Sequence, residues 1–288
     1  MYRDDFAILI MSHGRANNVV TVDTIKKCGY TGKWYIVIDN EDNQADLYKQ
    51  NFGEDHIIVF DKVKAGKTFD IMDNFPGRGV PTFARNTFHK IAKWLGLTYF
   101  LEFEDDYSSF AQRYVNEKGK FATTYVRNFN AICDEMIKFL DLTGALTVAF
   151  AQVGDFIGGP GSKVYQDKIT RKAMNCFFCR VDKPFQFLGR FNDDVNAYCE
   201  LGKKGELFFT IADIAMSQPQ TQANEGGITE AYKTYGTYVK SFYSVMLCPS
   251  CVKIYQVGSA HKRLHHRIDW AHAVPVIISG RYKKWKIK

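Results

Sequence analysis

Three acids in a row close the stretch TYFLEFEDDYSS, residues 98–109. Tyr99, Phe100, Leu101 and Phe103 suit a strand covered on both faces, and Glu104, Asp105 and Asp106 follow where such a strand breaks surface. Carboxylates crowded at a strand end repel one another unless a cation sits among them. Their hard oxygen donors suit magnesium or manganese, ions that keep open positions for phosphate oxygens. The plainer reading of the triplet is a solvated acidic turn. A second acidic pair, Asp193-Asp194, ends the segment GRFNDD (189–194) and opens a helix. Acids there cap exposed backbone N–H groups, or one of them serves as a general base towards an acceptor hydroxyl. His265 and His266 stand in the basic run HKRLHHR (261–267), either as surface or as an imidazole that completes a metal site. The basic end, with Arg281, Lys283, Lys284, Lys286 and Lys288 around Tyr282 and Trp285, reads as solvated tail or as a stretch that follows a nucleic-acid backbone.

The elements that must carry these residues follow a strand–helix–strand rhythm. FAILIM (6–11) reads as a central strand running into Ser12-His13-Gly14-Arg15, and residues 17–28 as a helix. WYIVI (34–38) ends at Asp39, and HIIVF (56–60) forms a third strand. In open α/β sheets, ligands bind beyond the carboxyl ends of the strands, which is where Ser12, Asp39 and the acid triplet fall. Gly66-Lys67-Thr68 lacks the earlier glycine of a P-loop and is set aside. A helix is expected over 82–95, carrying Arg85 and Asn86 in its first turn and closed by Gly96, and another over 125–140. A strand from Ala145, a glycine-rich loop at 154–161 and strands at 174–180 and 206–211 complete the pattern, and a polar loop spans 217–229. The rhythm predicts an α/β fold with a parallel, Rossmann-like sheet, in one domain over 1–288: a core at about 1–211, then an acceptor loop and C-terminal extension at about 212–288.

Composition supports a packed chain. Of 288 residues, 46% are hydrophobic and 15% aromatic, far from the makeup of a disordered protein. The charge balance, 38 − 31 = +7, permits a polyanionic partner without demanding one. No apolar run is long enough to span a bilayer and no signal peptide is evident, so a soluble, cytosolic protein without membrane partners is expected. Seven cysteines read as reduced thiols; Cys176/Cys179 and Cys248/Cys251 have CxxC spacing, and a four-thiolate zinc site is the alternative.

In their order, SHGR after the first strand, Asp39, Ala84-Arg85-Asn86, the acid-x-acid strand end and Asn192-Asp193-Asp194 resemble the GT-A glycosyltransferase fold, a mixed, mainly parallel sheet flanked by helices. GRFNDDVNAY (189–198), FFTIADIAMSQPQTQANEGGITEAY (208–232), GTYVKSFYSVM (236–246) and HHRIDW (265–270) resemble more closely the TET-associated glycosyltransferases of bacteriophages. That resemblance implies transfer of a sugar from a nucleotide sugar, most simply a UDP-sugar, onto 5-hydroxymethylcytosine or a related modified pyrimidine in phage DNA, in the cytosol of the infected host. It implies that Ser12, His13, Gly14, Arg15 and Asp39 hold the nucleotide, with Arg85 and Asn86 near the diphosphate. Asp105 contacts the ribose or shapes the turn. The resemblance also implies that Asp106, with Glu104 in a position where the family pattern has aspartate, binds Mn2+ or Mg2+, a site that an imidazole of His265 or His266 would complete. Asp194, beside Asp193, matches the base of related inverting enzymes. The acceptor base must leave the duplex stack, and the loops 154–161 and 217–229 are placed to receive it. A protein or carbohydrate acceptor, or an inactive DNA-binding module of this fold, remains the alternative.

Overall fold

In this computed structural model the structure describes residues 3–156, 158–167, 169–170, 172, 175–219, 228–236, 238–258, 262–273 and 278–283. The first half alternates as expected. β1 (Phe6–Met11), α1 (Val20–Lys27), β2 (Lys33–Asp39), α2 (Ala45–Phe52) and β3 (Ile57–Phe60) make a parallel unit, followed by α3 (Lys62–Gly66), α4 (Thr82–Arg85), α5 (Phe88–Trp94) and β4 (Tyr99–Glu104). β4 pairs parallel with β1, setting Met11 opposite Glu104. All six residues of β1 are buried, as an inner strand covered on both faces requires.

The second half folds back. β5 (Ser109–Val115), β6 (Phe121–Tyr125), α6 (Phe129–Thr143), β7 (Thr147–Gln152), α7 (Lys163–Asp167), β8 (Ile169–Thr170) and β9 (Phe177–Arg180) precede α8 (Asp193–Lys203) and β10 (Phe208–Ser217). The sheet runs β3-β2-β1-β4-β9-β7-β10-β5-β6, with β8 beside β10. β9 is antiparallel to both β4 and β7, whereas β7 and β10 are parallel. Strands β1 to β4, β7 and β10 therefore point one way, and their carboxyl ends share one edge. This is the mixed, mainly parallel sheet that the sequence leads one to expect. Phe103, Phe110, Phe129 and Phe150 pack ring against ring under that edge.

The C-terminal part adds α9 (Ile228–Tyr235), α10 (Val239–Leu247), the hairpin β11 (Val252–Val257) and β12 (Arg263–Ile268), and α11 (Trp270–Ala273). It shares the main core: Cys248, Cys251, Val252 and Ala273 belong to the buried cluster that begins at Phe6. Among the described residues no helix is long and apolar enough to cross a membrane.

Four expectations change. The helix predicted over 82–95 is two, because the Asn86 amide donates to Phe187 O and accepts from Phe187 N, and the Thr87 hydroxyl turns back onto Ala84 O. The helix predicted from 125 starts at Phe129, where the Asn128 side chain accepts from Ala131 N, while Val126 lies just past the end of β6. The strand predicted over 206–211 runs on to Ser217 through an irregularity between Ile211 and Ala215, which lets it leave β7 and pair with β5. Finally, the two CxxC pairs do not meet. Cys176 and Cys179 belong to the β9 region near Glu102, whereas Cys248 and Cys251 pair with Cys199 of α8, so the four-thiolate zinc alternative falls.

Candidate active site

At the shared carboxyl edge a cavity of about 430 Å³ opens between the sheet and the C-terminal part. Ser12, His13, Arg15, Asp39, Arg85, Glu104, Asp105, Asp106, Asp193, Asp194, His265 and His266, all singled out in the sequence, line it. Gly14 and Asn86 do not. Gly14 takes a left-handed φ of 67° and donates its N–H to Asp42 Oδ2, tightening the turn after β1. The Asn86 amide donates to Phe187 O and accepts from Phe187 N.

On the β1–β2 side the polar residues hold one another. Ser12 Oγ donates to Asp105 Oδ2 (2.5 Å), and Arg15 Nη1 donates to Asp105 Oδ1 (2.9 Å). Asp105 is thereby committed towards the β1 turn and away from its acidic neighbours. Asp39 is buried, with His13 Nδ1 2.7 Å and Lys62 Nζ 3.0 Å from its Oδ2. Burial pushes the Asp39 carboxyl up, but the hydrogen bonds from His13 and Lys62 outweigh it and hold it at about 2. Lys62 escaped the sequence reading, although it follows β3 at the same edge as the other residues and was legible by that rule.

The floor of the cavity is a knot of acids around one cation. The Arg85 guanidinium, 2% exposed, lies between the Phe177 and Phe187 rings. Its Nη2 donates to Glu104 Oε1 (2.8 Å), and its Nε lies 3.2 Å from Glu102 Oε1 and 3.3 Å from Asp193 Oδ2. Nη1 is buried without a hydrogen-bond partner among the described residues. Burial opposes the arginine's charge, and Asp193, Glu102, Glu104 and Asp194 more than restore it. One guanidinium does not balance these carboxylates together with Asp106. Burial first, then the surrounding acids, pushes Glu102 and Glu104 up to about 8 against the pull of Arg85, and burial with Asp193 pushes Asp194 up to about 6.

The start of α8 divides the labour of its acids. Asn192, in the left-handed region at φ 53°, precedes both acids on the cavity wall: Asp193 Oδ2 lies 3.3 Å from Arg85 Nε, and Asp194 Oδ1 accepts from Val195 N (2.7 Å). Asn192 Nδ2 donates to Lys240 O and lies 3.2 Å from His266 Nδ1, which leaves Nε2 as that ring's remaining nitrogen. Burial, His265 and Lys240 push His266 down to about 4, so its imidazole is neutral at physiological pH.

Further residues come from distant segments. Tyr232 lines the cavity, stacked on Phe191 (centroids 5.0 Å apart) with Lys240 Nζ 5.5 Å from its ring. The loop from Asp70 to Gly79 ends on the cavity wall at Gly79-Val80-Pro81 and is clamped by Arg190. That buried guanidinium grips Asp73 through Nε (2.8 Å) and Nη2 (2.9 Å) and also donates to Phe75 O and Gly77 O. Tyr243 OH donates to Asp73, and Phe75 stacks on Tyr235. Sequence reading quoted Arg190, Tyr232, Lys240 and Tyr243 within motifs but could not tell their partners, which lie 117 and 170 residues away for Arg190 and Tyr243. The expected acceptor loop at 217–229 lies outside the described residues from 220 to 227, as does residue 157 of the loop at 154–161. Of the basic tail, Lys284, Trp285, Lys286 and Lys288 lie outside them too.

Residues 6–227 match the family described as TET-Associated Glycosyltransferase. The chain belongs to that family. The acids, imidazoles and β1–β2 polar residues described above line the cavity of about 430 Å³. No curated protein matches it. Among solved structures, S. aureus TarS 1-349 aligns with a TM-score of 0.45 and 9% identity over 85% of this chain and 66% of that one. A mycobacterial protein aligns with a TM-score of 0.45 and 8% identity over 91% and 83%, respectively. A further TarS structure from S. aureus gives 0.41 and 11% over 84% and 40%. The chain thus spans just under two thirds of the first TarS chain and less than half of the second.

Proposed function

We propose that this glycosyltransferase moves a sugar from a UDP-sugar to the hydroxyl of 5-hydroxymethylcytosine, or a related hydroxymethylated pyrimidine, in phage DNA within the bacterial cytosol. One observation carries the reading: the cavity floor gathers Glu104, Asp106 and Asp194 beside a single buried guanidinium, with a neutral imidazole across from them. Burial first and then the neighbouring acids raise the Glu104 and Asp194 carboxyls, and a cation among them would relieve that repulsion. The donor set fits Mn2+ or Mg2+. Among the described residues no three His, Cys, Asp or Glu side chains stand close enough to hold an ion by themselves, so Asp106 with one further side chain, Glu104 or a histidine, would hold it and leave positions open to the substrate. When bound, the ion neutralises charge that grows on the leaving diphosphate.

The chain's own residues do the rest. The Ser12–Arg15 turn and the Asp39–His13–Lys62 group receive the nucleotide, and the unpartnered Nη1 of Arg85 is a donor for the leaving phosphate. Asp193 and Glu102 keep that arginine in place. Asp194 takes the proton of the acceptor hydroxymethyl group as its oxygen attacks the anomeric carbon and the bond to the diphosphate breaks. With its pKa near 6, Asp194 is mostly ionised at neutral pH, and burial makes it a stronger base than an exposed aspartate.

The test is a donor panel of UDP-sugars with Mn2+, offered to hydroxymethylated and unmodified duplexes and read by mass analysis of the digested nucleosides. A sugar on the hydroxymethylated base alone is expected. Equal transfer to both duplexes, or transfer to neither with every donor, refutes the acceptor.

A further inference from the structure

The β11–β12 hairpin carries an arrangement that the catalytic chemistry does not use. Residues 251–268 contain no Asp or Glu but include Lys253, Lys262, Arg263 and Arg267. The antiparallel register puts Lys253 directly opposite Arg267 and Tyr255 opposite His265. These four residues alternate with Ile254, His266 and Ile268, so they share the outer face of the hairpin while the others turn inward. Like charges placed opposite one another across strands destabilise the pair. Neither Lys253 nor Arg267 has a carboxylate partner among the described residues, and both are exposed. The Arg267 guanidinium lies 5.9 Å from the Tyr255 ring, which is 41% exposed. His265 belongs to this face and also lines the catalytic cavity, so the patch reaches the cavity mouth.

We propose that this outer face is where the DNA strand flanking the acceptor nucleotide lies, with Lys253 and Arg267 on consecutive phosphates and the Tyr255 ring against a base. The proposal rests on the reading that the acceptor is DNA. Two unneutralised cations held side by side attract a polyanion, and an exposed ring braced by a guanidinium offers a base something to stack on. A carbohydrate acceptor needs no such charge, and an acidic protein would use the cations but not a stacking ring.

The test is fluorescence anisotropy with a labelled hydroxymethylated duplex across a KCl series, comparing the full chain with Lys253→Ala/Arg267→Ala and with Tyr255→Ala. Melting temperatures serve as a check that the variants fold. The double variant should weaken binding by about tenfold or more and lower the slope of log affinity against log salt by about two. Tyr255→Ala should weaken duplex binding by about fivefold or more with an unchanged slope, and leave binding of inorganic polyphosphate as it was. A folded double variant with wild-type affinity and slope overturns the hairpin assignment while the DNA reading stands. A Tyr255→Ala variant that binds the duplex like wild type reduces the patch to a general anion surface and overturns the stacking contact. If the wild-type chain binds no DNA, both the acceptor and the hairpin assignment fall.

Discussion

Arg190→Met takes the charge out of the junction that holds the Asp70–Gly79 loop, and its cost follows from the hydrogen bonds that the guanidinium makes there. That group is 2% exposed and makes two hydrogen bonds to Asp73 and two to backbone carbonyls. Methionine fills much of the space but leaves a mostly buried carboxylate with Tyr243 OH and the Phe75 N–H as its donors and no cation, and two carbonyls missing a donor. Breaking a buried ion pair from one side costs about 3–5 kcal/mol. In a chain of this size each kcal/mol is worth about 2 °C, so the melting temperature should fall by about 6–10 °C. Tyr243→Phe, which removes one donor to Asp73, should cost about 1 kcal/mol. The decisive measurement is a double-mutant cycle by urea denaturation. Asp73→Leu combined with Arg190→Met should be less destabilised than the sum of the two singles by about 2 kcal/mol, because no charge is then left alone in the interior. Additive effects within about 0.5 kcal/mol would show that the pair is not coupled and that the loop is held by something else. Since the loop ends on the cavity wall, UDP affinity of Arg190→Met, measured below its melting transition, should drop as well.

Three more outcomes follow from the cavity. Asp106→Asn should lower transfer by about 100-fold or more and abolish the Mn2+-dependent gain in melting temperature, and EDTA should silence the wild type until Mn2+ is restored; a wild-type rate in the variant would remove Asp106 from the metal site. A base must be deprotonated, so kcat/KM should rise with pH through about 6, the value to which burial and Asp193 push Asp194, and Asp194→Asn should lose about 10²–10⁴ in rate; a flat profile between pH 5 and 7.5 would contradict the assignment. The same raised carboxyl adds stability that is full below its unfolded value of 3.8 and is lost as pH rises through about 6. Lys62→Met leaves the buried Asp39 with His13 and the Glu41 N–H and should weaken UDP binding by about tenfold, measured by calorimetry; unchanged affinity would detach the Asp39 group from the nucleotide.

What the sequence by itself determined is the periodic and the local. Apolar runs such as FAILIM and YFLEF can only be inner strands, and polar residues at their carboxyl ends must gather at one edge, which is why Ser12, Asp39 and Asp106 could be named before any contact was known. The same rule would have found Lys62. Only the tertiary structure decided which of two adjacent acids reaches Arg85: after the left-handed Asn192, Asp193 lies beside its Nε and Asp194 accepts from Val195 N, and no spacing in the chain encodes that choice. It also decided that Asn86 serves Phe187, that Arg190 grips Asp73, and that the two CxxC pairs never meet. Those outcomes depend on which distant segments the mixed sheet and the C-terminal helices bring within hydrogen-bond reach. A local pattern restricts a residue's backbone and exposure, whereas its partner is set by how the elements pack, and packing is a property of the whole chain.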